Sequence, residues 1–474
     1  MDIIFGEEIN DFKPNIIKSV QEIVSIKSFK NEKNINDEEI SEEPFGDGIN
    51  EALLYALDLS SKLGFKTKNI DGYIGYAEYG EGDEIVGVLG NLDILQEKEG
   101  WTYKPYDAEI HNNRIYGCGT LYDKGPLIAA LYGLKSIKDL GIKLNKRVRI
   151  IFGTDKNGDW EDINHYIKNE QAPNLGFTID GKFPVVNSEK GFIEIEFKKE
   201  IARKSKGMIS IKKLEGGQDQ NIVPSECHCK LKLNDMAKLM LKDTLELYCQ
   251  KNNINMHMQE EDDDLYTINS CGLSSLGSEP NKGKNAITQL IVFLNQFNLG
   301  QNDVSDFIKF LSNYIGEETD GKSLNIAYKE EDKGSITVNL GSISIDDDIA
   351  KCVIGITYPA GADYEDILRN ILTITADKKI DVSILNSRRP LCIDENSYLV
   401  STLLTSYKEV TGEDGFTISL GEQTFAKAFE NMVSFGPVFP GEDGRNFMTD
   451  EYIGIDELIK CTKIYANAIY ELAK

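Results

Sequence analysis

The sequence predicts an α/β protein with a mixed, mainly parallel sheet and, set within it, a separate α+β domain. Three observations predict it. Strand-like and helix-like segments alternate from Gly72 to Phe177 and again from Pro390 onward, strands come in runs between Gly191 and Thr357, and 474 residues exceed the size at which one hydrophobic core keeps growing. The expected division is a discontinuous main domain, residues 1–190 and 385–474, with an inserted domain at 191–384.

The elements follow from spacing. Ile16, Ile17, Val20, Ile23 and Val24 recur at helical intervals, with Pro14 tolerated in the first turn of a helix over Asp11 to Ile23. A second helix runs from about Ile49 to Leu63 and stops at Gly64, and the acidic link from Asn34 to Glu43 reads as loop. Short β segments follow at Gly72 to Glu78 and Ile85 to Leu89, then a hairpin turning at Asn112-Asn113. A helix from Pro126 ends at Gly141, a strand spans Arg147 to Phe152, and a turn at Thr154 to Asp159 leads to a helix through Tyr166 and a strand near Phe177. In the inserted region, strands at Phe192 to Phe197, Met208 to Lys212, His228 to Leu233, Ser335 to Asn339 and Val353 to Thr357 accompany helices near Asp235 to Lys251, Lys284 to Phe297 and Asp303 to Ile315. The chain closes with helices near Tyr398 to Thr411 and Ile455 to Ala473.

Composition narrows the function. A formal charge of −26 disfavours nucleic acid and anionic lipid, because counterion release requires clustered Lys and Arg. The longest apolar runs are too short to cross a bilayer, and the N-terminus lacks a signal-peptide pattern, so a cytoplasmic protein is expected. Eight irregularly spaced cysteines read as free thiols, and Cys227 and Cys229 around His228 lack zinc-site spacing. The acidic run Glu260 to Asp264 reads as a solvated loop without the spacing of a calcium loop.

In parallel sheets ligands collect at the carboxyl ends of strands, and Asn91-Leu92-Asp93 and Thr154 to Asn157 both sit there. Around them, several strings appear in a telling order. They are Gly90-Asn91-Leu92-Asp93; Trp101 followed by Pro105; Arg114-Ile115-Tyr116-Gly117; Asp123-Lys124-Gly125-Pro126; Gly153-Thr154-Asp155 with Trp160; Gly176 to Asp180; Glu189-Lys190-Gly191; Asn221 to Pro224; Gly283 to Ala286; Phe439-Pro440-Gly441; and Asp450 to Ile453. Together they resemble the zinc-dependent aminoacylase/carboxypeptidase-type exopeptidase superfamily, specifically its peptidase V-like dipeptidase branch, over nearly the whole chain. The resemblance implies a phosphorylase/hydrolase-like zinc-exopeptidase domain and an inserted α+β lid domain of the kind that also mediates dimers. It also implies two zinc ions sharing a bridging aspartate and a water, from which a glutamate takes a proton.

Carried onto this chain, the family's ligand positions hold other residues. The first histidine is Asn91, the bridging aspartate is Tyr122, the base glutamate is Lys156, the ligand glutamate is Asn157, and the last histidine is Phe447; only Asp180 remains. Asp93, which the resemblance casts as a support for the first histidine, is kept, as is Asp123. In the inserted domain Leu276 stands where the family has a transition-state-stabilising histidine, and Thr357 where it has a carboxylate-gripping arginine. Gly421 to Lys427 resembles a glycine-rich family loop with bulk added, and Asn221, Thr357, Gly421 and Lys427 are the candidate substrate-binding residues. None of His111, His165, His228 and His257 matches a ligand position.

Zinc takes imidazole, thiolate or carboxylate; amides and phenols are poor ligands, phenylalanine offers no lone pair, and an ammonium repels the ion. Without metal-lowered acidity water is a poor nucleophile near neutral pH, and losing the base removes a further factor of roughly 10² to 10⁴. The expectation is therefore no cofactor and no catalytic residue, in a pseudo-peptidase that binds a peptide or amino acid; measured zinc would overturn it. A weak or altered metal-dependent hydrolase and a structural subunit, for instance a homodimer, are the competing readings. Lys156 bears on the choice. It either pairs with one or both of Asp93 and Asp180, which would otherwise face each other unpaired, or is an exposed turn lysine beside Asn157-Gly158.

Overall fold

In the computed structural model, which describes residues 5–30, 43–97, 99–262, 264–331, 333–421, 423–442 and 448–474, the chain forms two compact units. The first comprises residues 5–188, 392–418 and 423–474, and the second residues 189–391 and 419–422, within those described limits. Most of the link from Asn34 to Glu43 lies outside the described residues.

In the first unit the strands Lys66–Ile70, Ile74–Tyr79, Arg147–Gly153, Ile85–Asn91, Leu175–Thr178, Met432–Ser434 and Val185–Glu189 lie side by side in that order. Pairing is parallel at the centre, where Ile85–Asn91 lies between Arg147–Gly153 and Leu175–Thr178, and Met432–Ser434 continues the parallel set. On either side it is antiparallel. The sheet is mixed, as expected, with a parallel centre to which the hairpin of Lys66–Ile70 and Ile74–Tyr79 adds antiparallel strands that no crossover helix requires. All of Ile85–Asn91 is buried, as suits a strand covered on both faces.

Helices Gly6–Val24, Asp47–Lys62, Lys124–Asp139, Glu161–Asn169, Tyr398–Thr411 and Ile455–Ala473 accompany this sheet. Lys124–Asp139 packs against Ile455–Ala473 closely enough that a Cβ on Gly133 would fall 3.1 Å from both Thr462 O and Ala466 N. The Asn112-Asn113 turn joins strands Ile110–His111 and Arg114–Tyr116 with φ of 48° and 60°, the left-handed pair that a tight hairpin needs. No helix among the described residues is long and apolar enough to cross a membrane.

The second unit is an antiparallel sheet in the order Asn255–Asp262, Leu265–Cys271, Glu226–Leu233, Ile209–Gly216, Thr337–Ile345, Ile349–Tyr358, Gly191–Glu200 and Asp381–Arg388. Its helices are Asp235–Asn252, Ala286–Leu294, Asp303–Tyr314 and Tyr364–Ala376. Contrary to the loop expected there, Glu260 and Glu261 belong to the edge strand Asn255–Asp262. Lys238 at 3.0 Å from Glu260 and Lys230 at 2.9 Å from Glu261 offset the negative charge of this strand. Cys227 and Cys229 point inward and are buried while His228 points outward, the period of a half-buried strand. All eight cysteines are free thiols.

Asn285 caps helix Ala286–Leu294. Its Oδ1 accepts from Ile287 N at 2.9 Å and Thr288 N at 3.2 Å, and its Nδ2 donates to Leu340 O at 2.8 Å. Asn285→Ala removes the cap and the tie to the sheet, so urea denaturation should show a loss of about 1–2 kcal/mol.

Candidate functional site

Three adjacent parallel strands end together. Ile85–Asn91 delivers Asn91 and Asp93, Arg147–Gly153 delivers Thr154 to Asn157, and Leu175–Thr178 delivers Asp180. The carboxyl ends of neighbouring parallel strands bring these side chains to one place, and the turn before helix Lys124–Asp139 adds Asp123.

Three carboxylates meet three donors there. Lys156 Nζ lies 2.9 Å from Asp180 Oδ2, with the lysine side chain 15% exposed and the aspartate fully buried. Lys156 is therefore not an exposed turn lysine, and of the two aspartates weighed for it, its ammonium takes Asp180. Asn157 donates to Asp93 Oδ2 twice, from its backbone N at 2.8 Å and from Nδ2 at 2.9 Å, while Lys156 N donates to Asp93 Oδ1 at 3.2 Å. Asn91 Nδ2 donates to Asp123 Oδ1 and to Asp93 O, each at 2.8 Å. Each retained aspartate thus has a donor from a position where the resemblance puts a metal ligand or the base.

The supports are specific. Asp180 also accepts from Thr178 Oγ1 at 2.6 Å and Phe425 N at 2.8 Å. Trp160, left-handed at φ 61°, donates its indole Nε1 to Lys156 O at 3.0 Å and sets its ring edge-on to Phe425, holding the loop that carries Lys156. Asp162 accepts from Thr154 N at 2.7 Å and Asp155 N at 3.2 Å, anchoring the start of the same loop.

Burial dominates the electrostatics. It raises the Asp93 carboxyl above its usual range and pushes Asp123 up to about 6, despite the opposing pull of Lys156 and Asn91 on Asp123. For Lys156 burial works downward, but Asp180 and Asp123 outweigh it and the ammonium is held above its ordinary pKa. Lys124, fully buried with Nζ donating to Ile26 O at 2.6 Å, is lowered by burial to about 8.

Glu451 is a site support that sequence reasoning passed over. It accepts from Leu121 N at 2.8 Å and Gly119 N at 3.2 Å, fixing the backbone that leads to Tyr122 and Asp123. Its place in the Asp450 to Ile453 string was the available signal. Burial, then the nearby Asp123, pushes its carboxyl from 4.5 up to about 8. A carboxyl raised in the folded state binds its proton more tightly than in the unfolded chain, so its contribution is lost as pH rises from about 4.5 to about 8. Relative to Glu451→Gln, the wild-type protein should lose stability across that window, measured by urea denaturation at a series of pH values.

The remaining candidates divide between the two units. Tyr122 is buried, and Phe447 lies outside the described residues. Lys427 lies in the 3₁₀ turn Phe425–Ala428 of the first unit, two residues after the Phe425 N that binds Asp180. Asn221, Leu276, Thr357 and Gly421 belong to the second unit and gather there around Ser278. Gly277 N donates to Asn221 O at 2.5 Å, Leu276 bridges Ile222, and Thr337 links Thr357 Oγ1 at 2.5 Å to Ser278 O at 3.3 Å; a Cβ on Gly421 would sit 3.1 Å from Ser278 Cβ. Leu276 is 43% exposed. The four histidines are engaged with other side chains: His111 with Glu109, His165 with Asp71, and His228 and His257 with Asn269. Among the described residues no group of three or more His, Cys, Asp or Glu side chains could hold a metal ion.

Comparison with known proteins places this arrangement in a family context. The model of the family described as peptidase family M20/M25/M40 matches residues 87–471. The Bacillus subtilis (strain 168) protein named "Putative dipeptidase YtjP" is 35% identical over 469 residues, 98% of each chain. The Beta-Ala-Xaa dipeptidase of Lactobacillus delbrueckii subsp. lactis is 30% identical over 478 residues, 100% of this chain and 99% of the relative. The crystal structure of human carnosine dipeptidase 1 shares the fold, with a TM-score of 0.57 at 14% identity over 99% of this chain and 98% of that one.

Proposed function

The chain belongs to peptidase family M20/M25/M40, as a homologue of its dipeptidases, and we propose that it is a non-catalytic member that binds a peptide or amino acid where its relatives hydrolyse one. One observation carries the reading. Lys156, Asn157 and Asn91, each at a position the family gives to a ligand or the base, donate respectively to Asp180, Asp93 and Asp123. Removing two dications from a buried cluster of carboxylates leaves charges that are costly without donors. Here the donors are supplied one for one, the pattern of an adapted site and not of random loss.

The residues present do not fit a zinc pair. The Lys156 ammonium occupies the flank of Asp180, the one retained ligand, and Asn91 and Asn157 turn donor nitrogens toward carboxylates. An ammonium held above its ordinary pKa cannot take a proton from water at neutral pH, which removes the general base. What this chemistry can do is hold a small polar ligand by hydrogen bonds.

Metal analysis of protein purified without chelator tests the reading. The expected content is far below one zinc per chain, and near two per chain overturns it. Dipeptide hydrolysis with added zinc should stay at background, whereas unfolding midpoints should rise with dipeptides or amino acids.

A further inference from the structure

The second unit holds a cavity lined by lysines in a chain that is otherwise strongly acidic. Residues 198–242 contain eleven Lys and Arg against five Asp and Glu, whereas the whole chain has a formal charge of −26. Several of these lysines find carboxylates: Lys204 lies 2.7 Å from Asp348, Lys213 2.7 Å from Glu215, Lys230 2.9 Å from Glu261 and Lys238 3.0 Å from Glu260. Lys206 and Lys212 have no ion-pair partner among the described residues, and both line a cavity of about 390 Å³ beside strand Ile209–Gly216 and the start of helix Asp235–Asn252. Two features set this apart from a scatter of surface lysines. Lys212 is the extra residue of a β-bulge: Ile211 pairs with Leu231 and Lys213 with Lys230, so Lys212 stands opposite nothing on the neighbouring strand. It is half-buried, and an ammonium withdrawn from water without a counter-charge is costly. The second feature is Ser205, which lines the cavity and is only 7% exposed. Its Oγ accepts from Ile211 N at 3.1 Å, and its hydroxyl proton has no acceptor among the described residues. Buried donors in native proteins are satisfied, so this hydroxyl points to an acceptor in the cavity.

We propose that this cavity binds a phosphate group, free or carried on a small molecule. It lies within the second unit, and it does not depend on the function proposed for the strand ends of the first. The chemistry selects the class. Of the two aspartates that line the cavity, Asp264 lies 4.0 Å from Lys232 and offsets that lysine, and Asp235 is exposed in the first turn of its helix, where the helix N-terminus favours it. The groups left open are then donors: the ammoniums of Lys206 and Lys212 and the hydroxyl of Ser205. A planar carboxylate is best held by the fork of an arginine, and no arginine is among the residues lining the cavity. Lysines act as point charges from separate directions, which suits a tetrahedral oxyanion with several acceptor oxygens. With three lysines set against two aspartates the cavity keeps an excess of positive charge, so binding should weaken as ionic strength rises.

Isothermal titration calorimetry of the full chain tests this with inorganic phosphate, glycerol 2-phosphate and acetate at matched ionic strength. Wild type should bind at least one of the two phosphate compounds at a single site per chain, and which of them binds tells free from esterified phosphate. Acetate should bind about tenfold more weakly or less, and Lys206→Gln/Lys212→Gln should weaken phosphate binding by about tenfold or more. Lys213→Gln controls for the loss of charge alone, because Lys213 follows Lys212 in the chain, pairs with Glu215 and does not line the cavity. It should change the affinity by less than about twofold. Ser205→Ala, once circular dichroism shows it folded, should weaken binding by about 2- to 10-fold through the lost donor. Wild-type protein that binds neither phosphate compound saturably overturns the site. Undiminished binding in the folded double variant, a loss in Lys213→Gln as large as in the double variant, or acetate binding equal to phosphate binding overturns it as well.

Discussion

Lys156→Met is expected to destabilise the first unit by about 3–5 kcal/mol, the cost of stranding a buried charge when its partner is removed. The reasoning rests on how unequal the two partners are. Asp180 is fully buried at the strand end, and its side chain is fixed by Thr178 Oγ1 and Phe425 N, so it cannot swing out to water when the ammonium goes. Methionine keeps most of the lysine's packing volume, which separates the loss of charge from the loss of contact. The control is Asp180→Asn in the same background. If the 2.9 Å pair is the origin of the cost, Lys156→Met/Asp180→Asn should recover most of the lost stability, and a urea-denaturation double-mutant cycle should give a coupling of about 2 kcal/mol or more. Additive effects of the two substitutions would show that Lys156 does not neutralise Asp180. An exposed lysine in a turn would give less than about 0.5 kcal/mol for the same substitution.

The fold was legible in the sequence where one local rule and the tertiary structure agreed. Helix Tyr398–Thr411 begins after Ser397, whose side chain caps Val400 N, and ends at Gly412 with φ of 76°, so both of its ends were written in residue type. The convergence of Asn91, Asp93 and Asn157 follows from strand ends alone, whereas Asp180 joins them in the sequence only through the family resemblance. Pairings that depend on tertiary partners were not legible. Glu260 and Glu261 read as loop because the lysines that neutralise them, Lys238 and Lys230, come from other elements. Sequence alone leaves the Lys156 side chain two defensible places, because the choice rests on Trp160 and Asp162, which hold its loop while the ammonium meets Asp180. Asp123 stood beside an altered position with no stated partner, because the Asn91 rotamer that reaches it is a matter of packing, not of spacing. Asn157 gave no sign that it would donate to Asp93 through both its backbone and its amide.

Putting histidine at 91 and 447, aspartate at 122 and glutamate at 156 and 157 should make the stability of the fold depend on zinc. The charge inventory explains why. The substitution set removes the Lys156 ammonium and the donors that Asn91 and Asn157 now give to Asp123 and Asp93, and it adds three carboxylates beside Asp93, Asp123 and Asp180. Without metal, like charges in a buried site repel and lose their donors, and the chelated variant should unfold several kcal/mol more readily than wild type. With zinc present at about 1,000 times its Kd, binding to the folded state alone returns about 4 kcal/mol. The Tm of the variant should therefore climb steeply with zinc and fall with chelator, while the wild-type Tm moves with neither. Lys156→Glu alone isolates the central step: it sets a carboxylate against Asp180 with too few ligands to hold zinc, so it should be more damaging than Lys156→Met and poorly rescued by the ion. Equal zinc responses in wild type and in the fully substituted protein would mean that Asn91, Tyr122, Lys156, Asn157 and Phe447 do not stand where the metal ligands once stood.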